Sequence, residues 1–543
     1  MSRQYRESLS PEAQDVEFSR PSELAPRSTS ASGLAFFHAP VDLSTTLVQY
    51  WFTHICPMWS VFDSEQSLNR KLPSNTWTTS EPVFYALQAM SAASLAESSP
   101  QFSSMLPSLV TRATTTITLK LQALRNSPAV PAVNITVDLL FALCAIGTSL
   151  HWNDSSQFGD ELLHDAKEVL GLWTMSLSAV DAMVHAYFHQ ALTYWQMLHT
   201  FVGRGPKLHQ LDRRRSRYRL RLRKAMQFDH DSDPIDQHRA CDGRPYLDGS
   251  RLHPWCGISS EVIDLFGQVL ALCRSTRSKD NRSRASQSNT TADMLCDIHI
   301  ARDLQNELLV LDFDAIVTAD EIPGRCLQTG DEKTPITHLI RTAEAYRQAS
   351  LIQLYLTFQD LDIEPTKTVT FSYDRYFAVG FNHNGASRTQ RLSCMALQLT
   401  EILKTLPPDS GTRCIQPPLL IVAAAGLRMD SDPAILDTTS MSPQSIHMLP
   451  TCRANYLATD GSLAHPSITE SPVTVATFEV AKARRFTKSR LRALQDTLPP
   501  RPIQVALDLV NAIWVEYDGS YAGSRDTHWL DIMNKSGCST VFG

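Results

Sequence analysis

The sequence predicts an all-α protein, on three observations. Apolar residues recur at three- and four-residue spacing in long segments across the chain. Strictly alternating runs, the mark of half-buried strands, are few. Proline and capping residues stand where the helical patterns begin. The expected architecture is stacked antiparallel helices around one long core or two coupled cores, with several disordered loops between them.

Residues 1–40 are rich in Ser, Pro, Glu and Arg, lack periodicity and read as a disordered N-terminal segment. Over 47–55, Leu47, Val48, Trp51, Phe52 and Ile55 share one helical face, and Pro57 is expected to interrupt it. The Ala-rich stretch 83–96, with Val83, Leu87 and Met90 at helical spacing, suits a tightly packed helix. The clearest helix is expected to begin at Ser178, where Ser178-x-x-Asp181 is similar to a capping box. From Val180 through Met183, Tyr187, Leu192 and Trp195 to Leu198 its apolar positions form one wide stripe. A second stripe runs Ile336, Leu339, Ile340, Ala343, Tyr346, Ala349, Leu354, and a third Leu392, Met395, Leu399, Ile402, Leu406. The last helix is expected to start at Pro502, a favoured first position, and to bury Ile503, Leu507, Val510, Ile513, Trp514 and Tyr517. These patterns divide the chain into a helical part at 41–202, a basic and acidic linker at 203–250, and a second helical part at 251–543. Polar, low-complexity stretches near 274–292 and 430–470 read as flexible insertions in the latter.

Composition narrows the class. A length of 543 residues allows two or three domains, or one large helical domain with insertions. A hydrophobic share of 43% and a charged share of 20% are those of an ordinary globular protein. The formal charge of −6 supplies no global attraction to nucleic acid or anionic membrane. The N-terminus has no apolar core of a secretory signal. The longest apolar runs, LLFALCAIG at 139–147 and LLIVAAAGL at 419–427, fall well short of the ~20 residues that a membrane span needs, so both are expected in a buried core. The eleven cysteines are scattered, with no C-x-x-C pair. They read as reduced, mostly buried thiols, and they exclude a local zinc knuckle or ribbon, whose ligands must be close-set.

Candidate chemistry is sparse. Asp181, His185 and His189 stand four apart on one face and could ligate zinc, but HAYFH lacks the Glu of a zinc hydrolase, and ordinary boundary histidines are the expectation. Asp229, Asp231 and Asp233 begin like a calcium loop, yet Pro234 stands where the turn needs Gly and Ala240 where a bidentate Glu is needed. Asn153, Asp154 and Glu161 are similar to a terpene-synthase metal sequence, but Gln157 replaces its hydroxyl ligand and no D-D-x-x-D cluster accompanies it. Nucleophile-elbow, dinucleotide and P-loop motifs are missing from the sequence. The expectation is therefore no catalytic residues, no cofactor and no metal. One local charge feature remains. Arg213, Arg214, Arg215, Arg217, Arg219, Arg221, Arg223 and Lys224 place eight cations in twelve residues. This run reads as a nuclear-import signal or as a linker held to the acidic stretch 229–236; phosphate contacts from a flexible arm would carry no base information.

Seven landmarks stand in a recognisable order. LVQYWFTHICPMWSVFD and ALQAMSAASLA open it, then ELLHDAKEVL, RLHPWCGISSEVIDLFGQVLALCRSTR, AEAYRQASLIQLYL and PPLLIVAAAG, and FEVAKARRF…RLRALQ with HWLDIM closes it. Together, over roughly 40–543, they resemble the fungal-specific transcription factor domain, the large helical regulatory region that usually follows a binuclear zinc cluster. The resemblance implies a nuclear regulator of a metabolic or secondary-metabolite gene cluster. Its implied partners are other transcription factors or a homodimer partner, with a small-molecule effector and no membrane. The zinc-cluster module, which needs six closely spaced cysteines, is expected to be absent; either it is encoded upstream of Met1, or DNA is reached indirectly through a partner. The alternative is a helical enzyme or accessory protein of a biosynthetic pathway. A deep polar pocket with a perturbed His or carboxylate would favour that alternative, and a largely apolar cavity the regulator.

Overall fold

Helical periodicity in the sequence becomes helix throughout the computed structural model, which describes residues 42–126, 133–174, 181–206, 252–283, 291–314, 328–364, 387–429, 475–519 and 527–542. Among them no strand forms; an isolated bridge pairs His253 with Gly257. Contacts divide the chain into two units, residues 1–46 and 47–543. Of the first, residues 42–46 are described, and Asp42 there caps the start of a helix by accepting from the Ser44 N–H.

That helix, α1 (Leu43–Tyr50), does not stop at Pro57. It widens into a π turn at Trp51–Ile55 and continues through Cys56–Met58. The Cys56 N–H bonds five residues back to the Trp51 carbonyl, so in this register Pro57 would owe a hydrogen bond to Phe52. Arg70, on α2 (Leu68–Thr76), supplies it, donating to the Phe52 carbonyl at 2.8 Å while its guanidinium also pairs with Asp63. The missing donor is replaced by a side chain, and the helix survives its proline.

The remaining helices pack largely in sequence order. They are α3 (Glu81–Leu95), α4 (Pro100–Asn126), α5 (Val133–Gly147), α6 (Asp160–Thr174), α7 (Ala182–Phe201), α8 (Ser260–Ser283), α9 (Thr291–Leu309), α10 (Ile336–Thr357), α11 (Arg388–Lys404), α12 (Pro417–Gly426), α13 (Val475–Gln495), α14 (Pro500–Gly519) and α15 (Trp529–Ser536). Helix α3 lies on α4 and α5, α5 on α6, α6 on α7, α7 on α8 and α8 on α10. Helix α10 touches α11 and α12, and α14 closes over α12 and α13. The two nine-residue apolar runs are core, from Leu139 to Ile146 in α5 and from Leu419 in α12 to Leu427 just past its end. No helix of the described residues is long and apolar enough to cross a membrane.

Helix α10 departs from its one-sided stripe. It is enclosed from Thr342 to Tyr355, polar residues included. Arg347 pairs with Glu344 at 2.6 Å, and Gln348 donates to the same carboxylate at 3.0 Å. Gln353 accepts from the Trp529 indole at 2.8 Å. Glu344 is thus held by two side chains of its own helix, and Gln353 ties the helix to Trp529.

Three boundaries differ from the sequence expectation. Helix α7 begins at Ala182, with Asp181 at its N-cap making no side-chain capping bond; Ser178 lies outside the described residues. Helix α14 begins at Pro500, and a further helix, α15, follows it. Helix α8 runs through Ser283, into the stretch read as a flexible insertion from 274. Its cations are held by distant partners. Arg274 donates to the Thr200 carbonyl at 3.0 Å, Arg277 to Asp531 at 2.5 Å, and Lys279 to Asp297 at 2.8 Å. Polar sequence here marks a helix with charged neighbours. The readings of 1–40 as an N-terminal segment and of 430–470 as a loop fall on residues outside those described.

Candidate ligand cavity

The site is built from the aromatic residue that follows the π turn. Trp59 is buried and donates its indole N–H to the Thr148 hydroxyl at 3.1 Å; that hydroxyl in turn donates to the Cys144 carbonyl at 2.8 Å. Trp255 meets it edge-on, ring centroids 4.6 Å apart, and donates its own indole N–H to the Trp59 carbonyl at 3.0 Å. The Val61 N–H bonds the Pro254 carbonyl at 2.6 Å, so two segments almost 200 positions apart are joined through backbone and side chain.

Trp255 is presented by a turn that His253 organises. The Nδ1 of His253 accepts from the Trp255 and Cys256 N–H groups at 3.0 and 3.2 Å, and its Nε2 lies 3.1 Å from the Tyr187 carbonyl. Only the neutral tautomer with its proton on Nε2 satisfies all three. Burial pushes the His253 pKa from 6.5 down to about 3, with the Tyr187 carbonyl opposing. Gly257 closes the turn at φ +72°, a left-handed conformation that glycine adopts without Cβ strain.

Next to the Trp59–Trp255 pair lies a cavity of about 40 Å³. Its wall is apolar, made by Met58, Trp59, Trp152, Trp255, Leu198, Ile415, Leu498 and Ile503, with Pro417, Pro499 and Pro502 at the starts of α12 and α14. Polar atoms come from Thr148, His151, Tyr194 and Cys414. Burial pushes the Cys414 thiol up to about 12 and raises the Tyr194 phenol as well, so neither ionises at neutral pH. A protonated thiol is a poor nucleophile and a poor metal ligand.

The residues weighed from sequence have other duties. His185 Nε2 lies 2.8 Å from the Thr174 hydroxyl, and its ring stands edge-on to Trp173 at 5.3 Å. Among the described residues no group of three His, Cys, Asp or Glu side chains could hold a metal. Asn153 donates to the Ala93 carbonyl, and Asp154 caps a local turn by accepting from Ser156 and Gln157; these bonds lower its pKa. A carboxylate–imidazole pair does exist, Asp160 to His199 Nδ1 at 3.0 Å, but Asp160 also holds Arg204 at 2.5 Å and neither residue lines the cavity. The basic run Arg213–Lys224 and Asp229, Asp231 and Asp233 lie outside the described residues.

The cavity residues escaped sequence reading because six separate segments contribute them, with no shared local spacing. The available signals were the tryptophans and the prolines opening two helices.

The fold and the cavity define a class: an all-helical scaffold with an internal apolar pocket. The sequence matches the fungal specific transcription factor domain over residues 46–432, and the chain belongs to that family. Neither a curated protein nor a solved structure matches it. The match ends at 432, short of the last landmark, FEVAKARRF…RLRALQ with HWLDIM. Helices α13 to α15 nevertheless share the core, with the Trp514 indole donating to the Ala424 carbonyl at 3.0 Å and Trp529 lying 5.3 Å from Phe201.

Proposed function

We propose that the chain is a nuclear transcriptional regulator of a metabolic or secondary-metabolite gene cluster that acts through a protein partner and answers to a small-molecule effector. The observation that carries this reading is membership of a transcription factor family over most of the chain. The eleven cysteines are too widely spaced to form a zinc cluster within residues 1–543, and the promoter contact proposed for these residues is through another transcription factor or a homodimer partner. The basic run Arg213–Lys224 suits nuclear import. The wall of the cavity is largely apolar, with one imidazole, that of His151, and no carboxylate, Lys or Arg to pair with it, which supports a regulatory role over an enzymatic one.

The test is to fuse residues 1–543 to a heterologous DNA-binding module and measure a reporter carrying its site. The reading expects transcription to move at least several-fold, up or down, relative to the DNA-binding module alone. A reporter unaffected by a well-expressed fusion, in cells with and without the cluster's inducing conditions, would refute it.

A further inference from the structure

Helix α9 packs on α8 and α10 through one face, where Asp297, Ala301, Leu304 and Leu308 recur at three- and four-residue spacing and are buried. The opposite face carries Leu295, His299, Arg302, Asp303 and Asn306, with Val310 just past the helix end, all within about 100° of arc. All six are exposed, Leu295 to 61% and Val310 to 77%. Single exposed aliphatic residues are ordinary; what sets these apart is the order in which they stand. Read from either end, the face runs aliphatic, uncharged polar, charged. Leu295 answers to Val310, His299 to Asn306, and Arg302 to Asp303, each pair equidistant from the midpoint between Arg302 and Asp303. The two central charges are of opposite sign. Among the described residues Arg302 makes no ion pair or hydrogen bond, and the Asp303 carboxylate has a neighbour in the His299 ring at 3.7 Å.

We propose that this face of α9 docks on the same face of a second copy of the chain, the two helices antiparallel about a two-fold axis at that midpoint. The axis sets Arg302 of each copy against Asp303 of the other, so two reciprocal ion pairs form at the centre. At the two ends Leu295 of each copy meets Val310 of the other, and both leave water. A parallel pairing would set Arg302 against Arg302, which like-charge repulsion opposes. One helix pair of this length buries less than the ~1,600 Å² of a standard interface, so the dimer is weak and exchanges with monomer. The inference rests on the regulatory reading for its biological meaning and selects the homodimer among its partners.

The experiment is analytical ultracentrifugation of the purified full chain over a concentration series at physiological ionic strength. A reversible monomer–dimer equilibrium is expected, with a Kd on the order of 10–100 μM. Arg302→Asp and Asp303→Arg, each alone, put four like charges around the axis and weaken self-association by about tenfold or more. Both changes sit on exposed side chains, so the fold is retained. An equimolar mixture of the two single variants restores association, because every charge then faces its opposite in the other copy. The double variant, in which the two charges are exchanged, also dimerises. A chain that stays monomeric, single variants that dimerise like the parent, or a mixture that stays monomeric overturns the proposal. The reporter assay reads the regulatory role separately: a silent reporter with an intact dimer sinks that role alone, and an active reporter with a monomeric chain sinks this face alone.

Discussion

His253 makes the stability of this fold depend on pH in a way that one substitution can isolate. Its Nδ1 receives two backbone N–H groups, so a proton there would face two donors and dismantle the turn that carries Trp255. With the folded pKa near 3 against an ordinary 6.5, the unfolded chain takes up the proton first as pH falls. The contribution is fully present above about pH 6.5 and is lost progressively down to about pH 3. One such group changes stability by ~1.4 kcal/mol per pH unit inside that window, so on the order of 2–3 kcal/mol goes between pH 7.5 and 4.5. His253→Asn is the informative variant. Its amide oxygen still accepts from residues two and three ahead, as in an Asx turn, but it does not titrate and it loses the Tyr187 bond. Urea unfolding at the two pH values should show the variant about 1 kcal/mol less stable at pH 7.5, with a smaller loss on acidification by roughly the amount above. His199, His185, His338 and His528, also lowered by burial, act equally in both proteins. An unchanged pH dependence in the variant would show that His253 is not held neutral by this turn.

Three further outcomes follow. Arg347→Met should cost roughly 3–5 kcal/mol because it strands the buried Glu344, while the double variant with Glu344→Gln should recover most of it; equal losses in both would refute the pair's role. Gly411→Ala should destabilise by at least about 1–3 kcal/mol, since an added Cβ would stand 2.2 Å from the Val61 carbonyl oxygen, and a neutral result in chemical denaturation would contradict that packing. Replacing Arg213, Arg214, Arg215, Arg217, Arg219, Arg221, Arg223 and Lys224 with Ala should shift a fluorescently tagged chain out of the nucleus; unaltered entry would sink the import role.

Helix class and most helix positions were legible because periodicity is a local property. Leu339, Tyr346 and Leu354 announce α10 wherever they are placed, and Leu139 to Ile146 read as core from their own run. What was hidden depends on distant partners. The α8 residues Arg274, Arg277 and Lys279 look like solvated linker until Thr200, Asp531 and Asp297 come beside them. Pro57 reads as a helix stop until Arg70 supplies the donor it lacks. HPWCG stands out as a landmark in the sequence, yet its order does not disclose that the imidazole accepts two N–H groups. For the candidate site almost nothing was legible, because the wall is assembled from both ends of the sequence.

The joining of early and late segments bears on how the chain folds as it is made. Trp59 and Trp255 can meet once the first half has left the ribosome, but Arg413 reaches the Pro57 carbonyl, and Arg501 reaches Glu97 and Asn153, only much later. Until α12 and α14 arrive, the indoles around the cavity have no cover. Non-local closure of this kind is slow and leaves sticky intermediates, the kind of nascent chain that chaperones hold.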